Sequence, residues 1–205
     1  GDLAGNLALA IDAYEQLVGQ GVDLVVYPEL MLCGYPPRDL LLKENFGNDC
    51  RNALDEFAQT TGPTPALIGF PEKNEGPAGE PFFNAAAWCA EGTVGQTFRK
   101  RLLPTYDVFD EMRYFEADKA PGILRLSDSL SIGVTICEDA WQHAGEVPSD
   151  YDADPIEQLA AWQHQGEPHR PDGYRTAAGQ RPVSGSLCEP SGRRRDRSHP
   201  GPLAR

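Results

Sequence analysis

In Leu130-Ser131-Ile132-Gly133-Val134-Thr135-Ile136-Cys137-Glu138-Asp139-Ala140-Trp141, an apolar, β-branched run ends abruptly in a cysteine. Two carboxylates and a tryptophan follow at once. β-Branched residues suit a pleated, packed surface, so Leu130 to Ile136 is expected to form a strand. A strand that stops at Cys137 holds its thiol at the rim of a sheet, on a rigid support. The residues after it can turn and offer backbone N–H groups to an anion. That is a suitable place for a nucleophile. Taken alone, the cysteine reads as a packed side chain, because free cysteine is among the most buried residue types. A nucleophile here needs a base and an oxyanion partner from the rest of the chain.

Outward from this stretch, Ile123 to Leu126 pairs with it as a hairpin turning at Ser127-Asp128-Ser129. Asn84 to Ala90 and Thr93 to Arg99 form another about Glu91-Gly92. Near the start, Asn6 can cap a helix whose buried face is Leu7, Ala10, Ile11, Tyr14, Leu17 and Val18. Gly19 and Gly21 supply its stop. Val22 to Tyr27 reads as a strand buried on both faces, ended by Pro28. Leu30 to Leu42 holds a Gly-Tyr-Pro-Pro turn and a leucine cluster. Phe46, Cys50, Ala53, Leu54 and Phe57 mark a second amphipathic helix. Ala66 to Phe70 is a strand stopped by Pro71, and Asp154 to Trp162 begins a third helix. Helices alternating with buried strands, then hairpins, predict an α/β protein with a mixed sheet covered by helices.

The 205 residues suffice for one domain with a real core, and 40% apolar with 24% charged residues is ordinary for a globular protein. No run approaches the roughly 18–20 apolar residues of a membrane span. Five cysteines, odd in number and widely spaced with no C-x-x-C pair, indicate neither a disulfide framework nor a zinc site. A reducing cytoplasm is the expected compartment. The net charge of −13 hides a split. Residues 163–205 carry eight arginines, no lysine and four acids, leaving 10 bases and 27 acids in residues 1–162. So acidic a body argues against a nucleic-acid surface. The tail is rich in Arg, Pro, Gly and Ser, with Val183, Leu187 and Leu203 its only aliphatics beyond alanine, and is expected to be disordered. The change at about Trp162 is sudden enough to suggest a reading-frame shift, which translating the other frames of the DNA would test.

Three positions stand out chemically. Glu29 follows a buried strand and a proline, where a partly desolvated carboxylate can act as a general base. Taken alone, it reads rather as a solvated loop acid. Lys100 lies at the end of a hairpin strand in Phe98-Arg99-Lys100-Arg101-Leu102-Leu103-Pro104, placed to stabilise an oxyanion. Alone it reads as part of an exposed basic cluster. Cys137 is the third. All three fall at or near strand ends, which can meet along one edge of a sheet.

The order Pro28-Glu29, Arg99-Lys100, Cys137-Glu138 resembles the Glu-Lys-Cys triad of the nitrilase, or carbon–nitrogen hydrolase, superfamily. Tyr27-Pro28-Glu29-Leu30, the Gly34-Tyr35-Pro36-Pro37-Arg38-Asp39-Leu40-Leu41 motif, the stretch from Leu103 to Phe115, and Ile136-Cys137-Glu138-Asp139-Ala140-Trp141 are similar to the glutaminase domain of glutamine-dependent NAD⁺ synthetases. The resemblance covers residues 1–162 and implies a nitrilase-like α-β-β-α sandwich. It implies glutamine as substrate, with Glu29, Lys100 and Cys137 catalytic, Glu111 a supporting acid and Tyr106 a glutamine contact. Glu138 and Asp139, though next to the cysteine, are expected to be structural. The glutaminase step needs no metal and no cofactor. ATP and deamido-NAD⁺ would bind a synthetase domain that this sequence does not contain, and the family also implies assembly into oligomers.

Some features depart from the pattern. Thr105 and Asp107 replace the usual Asn and Gly, at positions without a catalytic role. The family's first strand and last strands are missing, so the sandwich is expected to be incomplete. Its Asn-x-Ser-Ala-Ser-Pro-Phe segment and nearby basic residue, which contact glutamine, have no match in residues 163–205. Two alternatives therefore stand beside a glutaminase: an inactive fragment that keeps the triad, and a nitrilase-type amidase acting on another small amide.

Overall fold

The computed structural model describes residues 1–142 and 151–165. The arginine-rich tail beyond Gln165, expected to be disordered, lies outside the described residues.

Helix α1 spans Leu3–Gly19. Its N-cap is Asp2, whose carboxylate accepts the Gly5 N–H at 3.0 Å, rather than the expected Asn6. Asn6 lies one turn inside, where its amide donates to the Leu32 carbonyl at 3.1 Å. Asp2 supplies a cap four residues earlier, and the half-buried Leu3 packs against the cluster of Leu30, Cys33 and Leu41, so the helix begins before Asn6. Helix α2, Phe46–Thr60, buries the face expected of it: Phe46, Cys50, Ala53, Leu54 and Phe57.

Four strands form a mixed sheet in the order β1-β2-β3-β4: β1 Val25–Val26, β2 Ala66–Lys73, β3 Phe82–Ala90 and β4 Thr93–Arg99. β1 pairs parallel to β2, and the other neighbours are antiparallel. β1 is shorter than the expected Val22–Tyr27 and is not buried on both faces, since Val26 is 45% exposed. β2 does not stop at Pro71. It runs on to Lys73, with Pro71 opposite Asn84. Gly69 turns its carbonyl to the β1 side, where it accepts from Leu32 N, and Pro71, two residues on, faces the same way. There β1 has already ended, so the missing proline N–H removes no ladder bond. The β3–β4 hairpin turns where expected, with φ of 50° at Glu91 and 75° at Gly92, the left-handed pair of a two-residue loop.

One face of this sheet packs on α1 and α2 through Tyr14, Tyr27, Leu54, Phe57, Ile68 and Phe70. The other face meets a second hairpin, β5 Gly122–Ser127 and β6 Leu130–Val134, through Leu67, Phe98, Leu124 and Val134. Helix α3, Pro155–Gln165, lies over that hairpin, with Leu159 against Gly133. Gln158 accepts from Arg101 Nη2 at 2.6 Å, tying α3 to the chain after β4. The layers therefore run α, β, β, α, as the α/β reading and the sandwich expectation hold. No helix among the described residues is long and apolar enough to cross a membrane.

Candidate active site

Glu29 lies just after β1 on a loop that crosses β2 at Gly69. A Cβ on Gly69 would meet Leu30 N at 2.3 Å and Pro28 O at 2.5 Å, so only glycine permits this crossing. Leu30 takes a φ of 50°, costly for a leucine, and is fully buried. The chain accepts that strain where it aims Glu29 back over the sheet.

Lys100 follows the last residue of β4. Its backbone N–H donates to the Asn84 carbonyl at 2.7 Å, extending the β3–β4 ladder by one residue. Its side chain is 0% exposed. The ammonium donates to Glu29 Oε1 at 2.7 Å and to Glu111 Oε1 at 2.9 Å. Burial alone would push the lysine pKa down, but the two carboxylates outweigh it and hold the group well above its ordinary value. Lys100 is therefore a fixed cation, not the exposed basic cluster its neighbours suggest.

Glu111 stands in a short 3-10 turn, Glu111–Arg113, and is buried. Burial pushes its carboxyl up, and the Glu29 charge adds to this while Lys100 opposes it. Its Oε1 also accepts from the Tyr35 hydroxyl at 2.7 Å. Asn84, fully buried at the β3 side of the cluster, donates through Nδ2 to Glu29 Oε1 at 2.6 Å and to Glu111 Oε2 at 3.4 Å. The sequence reading did not single out Asn84 or Tyr35. Asn84 had a signal, as a lone polar residue heading the run Ala85-Ala86-Ala87, and Tyr35 lay inside a quoted motif.

β6 ends at Val134, short of the expected Ile136. Thr135 and Ile136 continue as buried chain, and Cys137 opens a 3-10 turn, Cys137–Ala140, with φ of 47°. A non-glycine residue in that region is strained, and such strain concentrates at functional sites. Cys137 is half-buried and within electrostatic reach of Lys100, Tyr35 and Tyr106. Asp139 holds the turn. Its Oδ1 accepts from Arg101 N at 3.0 Å and Leu102 N at 2.8 Å, and its Oδ2 from Ile136 N at 3.1 Å. One carboxylate thus joins the chain after Lys100 to the chain before Cys137. Burial pushes Asp139 up to about 6, against the pull of those three N–H groups. Glu138, also buried, accepts from Tyr106 OH at 3.0 and 2.9 Å and from Tyr151 OH at 3.1 Å. Burial and the Glu138 carboxylate push the Tyr106 phenol up to about 12.

The fold thus brings Glu29, Lys100 and Glu111 into direct contact and sets Cys137 close by, while Tyr106 is bonded to Glu138 instead. A cavity of about 470 Å³ adjoins the cluster, lined by Tyr35, Arg38, Asp107, Phe109, Glu111 and Tyr114 among others. It meets the cluster through Tyr35 and Glu111, and neither Glu29, Lys100 nor Cys137 lines it. Among the described residues no group of three or more His, Cys, Asp or Glu could hold a metal ion.

Known proteins share this arrangement of chain. Over 144 residues the sequence is 42% identical to the glutamine-dependent NAD(+) synthetase of Thermotoga maritima, covering 69% of this chain and 24% of that protein. Over 145 residues it is 41% identical to the synthetase of the same name from Synechocystis, covering 69% and 26%. The chain thus spans about a quarter of the length of the curated relatives it matches. The solved glutamine-dependent NAD⁺ synthetase of Acinetobacter baumannii superposes with a TM-score of 0.67 at 30% identity, covering 78% of this chain and 28% of that one. An amidase from Nesterenkonia superposes at 0.55 with 23% identity, covering 68% and 51%, a likeness of fold alone. The carbon–nitrogen hydrolase family model matches residues 1–154, and it is to the carbon–nitrogen hydrolase family that this chain belongs.

Proposed function

We propose that the chain carries a glutamine amidohydrolase centre in which Glu29, Lys100 and Cys137 are the catalytic residues. One observation supports this most: a fully buried lysine held between Glu29 and Glu111, beside a cysteine on a strained elbow. Glu29 takes the proton from the Cys137 thiol, and the electron pair stays on sulfur. The thiolate attacks the side-chain amide carbon of glutamine. Lys100 and a backbone N–H of the turn after Cys137 stabilise the oxyanion, the largest electrostatic demand of acyl transfer. Ammonia leaves with a proton returned from Glu29, and the same carboxylate then activates water to open the thioester to glutamate. Glu111 supports Lys100, and Tyr106 contacts the substrate.

In this reading the ammonia feeds an ATP-dependent synthetase domain that makes NAD⁺ from deamido-NAD⁺, and the site itself uses no cofactor. The compartment is the cytoplasm, and the whole enzyme is oligomeric. A second reading, an inactive fragment that keeps the triad, is favoured by the lack of a glutamine-contacting segment in residues 163–205. The two differ in one covalent species. Acid-quenching the chain during incubation with glutamine and weighing the Cys137 peptide is expected to reveal a γ-glutamyl thioester. Its absence, with the thiol still unmodified, would favour the fragment.

A further inference from the structure

We propose that Asn84 is a positioning residue for the centre, one strand position that aims both the base and the cation. The inference rests on the amidohydrolase reading above. The Asn84 side chain donates to Glu29 Oε1 at 2.6 Å and reaches Glu111 Oε2 at 3.4 Å, while its backbone carbonyl accepts the Lys100 N–H at 2.7 Å. It is thus bonded to Glu29, Lys100 and Glu111, although its own side chain carries no charge.

The orientation of the carboxamide follows from charge. Turned over, its oxygen would face two carboxylates. Held as it is, its oxygen is buried with no hydrogen-bond donor. A buried carbonyl left unpaired loses its water without gaining a donor, so the fold tolerates this only where something else fixes the amide. A purely structural asparagine would be expected to satisfy its carbonyl as well as its amide. Here the geometry favours the N–H on Glu29 at the expense of the oxygen. The groups that face the site are Glu29 from the loop after β1, Tyr35 from the following loop, Lys100 after β4, Tyr106 and Glu111 from the chain after it, and Cys137 and Asp139 from the elbow. They include two acids that share one ammonium. The amide N–H adds a positive dipole end without adding a proton that can be lost.

Asn84→Asp separates this role from a packing role, because it keeps the shape and the backbone bond but replaces the donor by a third carboxylate. The readout is the rate at which iodoacetamide alkylates Cys137, followed by peptide mass spectrometry on the full chain from pH 5 to 9. It needs no glutamine turnover. The midpoint in Asn84→Asp is expected to move up by at least about one pH unit, making the reaction about tenfold slower near neutrality. Asn84→Ala should also be slower, with a thermal transition still present by circular dichroism. A midpoint unchanged in Asn84→Asp, or a loss equal at every pH, would overturn the role of Asn84 alone. A wild-type Cys137 no more reactive than a free thiol would overturn the underlying reading together with it.

Discussion

Lys100 shows how a single side chain can be both a liability and an organiser. An ammonium with no exposure is tolerated only because Glu29 and Glu111 both bond to it. Removing it leaves the buried Glu111 facing the half-buried Glu29 without their cation, and breaking a buried pair costs about 3–5 kcal/mol. Lys100→Met should therefore lower stability by roughly that amount, read from urea unfolding. A variant as stable as the wild type would mean that the two ion pairs contribute nothing net to stability. Glu29 and Lys100 were legible as strand-end residues but not as partners. Sequence placed each of them near the end of a strand. Whether two ends meet depends on Gly69, whose missing Cβ lets the Glu29 loop cross β2. Asn84 escaped notice because an asparagine at the head of a strand also reads as the edge of a loop.

At the scale of elements, the amphipathic helix α2 and the β3–β4 hairpin were readable because their periodicities are strong and local. β1 and the end of β6 were not, because tertiary partners decide where a ladder stops: among the described residues β1 has only β2 beside it, and β6 gives way to the elbow at Cys137. Asp139 is the device that fixes that elbow. Asparagine in its place has a single oxygen for three N–H donors, so Asp139→Asn should cost about 1–3 kcal/mol near pH 5. The pH dependence has a definite sign. In the unfolded chain this carboxyl titrates near 3.9. In the fold it titrates at about 6, so between those values only the folded form holds the proton. The stability it contributes is full below roughly pH 4 and is lost as pH rises through about 6. The gap between wild type and variant should narrow between pH 4.5 and 7 in urea titrations. A gap that widens would contradict the burial-driven shift.

For the molecule as a whole, the layers bring near one another three side chains that the chain keeps far apart. Glu29 comes from the loop after β1, Lys100 from the end of β4, and Cys137 from beyond the second hairpin. The sheet and the Asp139 bonds bring them to one place. The family was legible because motifs flanking all three residues are long and occur in order. Which of those residues touch was not, because contact is a property of the packed sheet. One assay tests the glutamine amidohydrolase reading most directly. The full chain is incubated with glutamine and ammonia is measured beside a Cys137→Ala control. A working centre releases ammonia from the wild type and none above background from Cys137→Ala. Equal release from both, or none from the wild type, would contradict that reading.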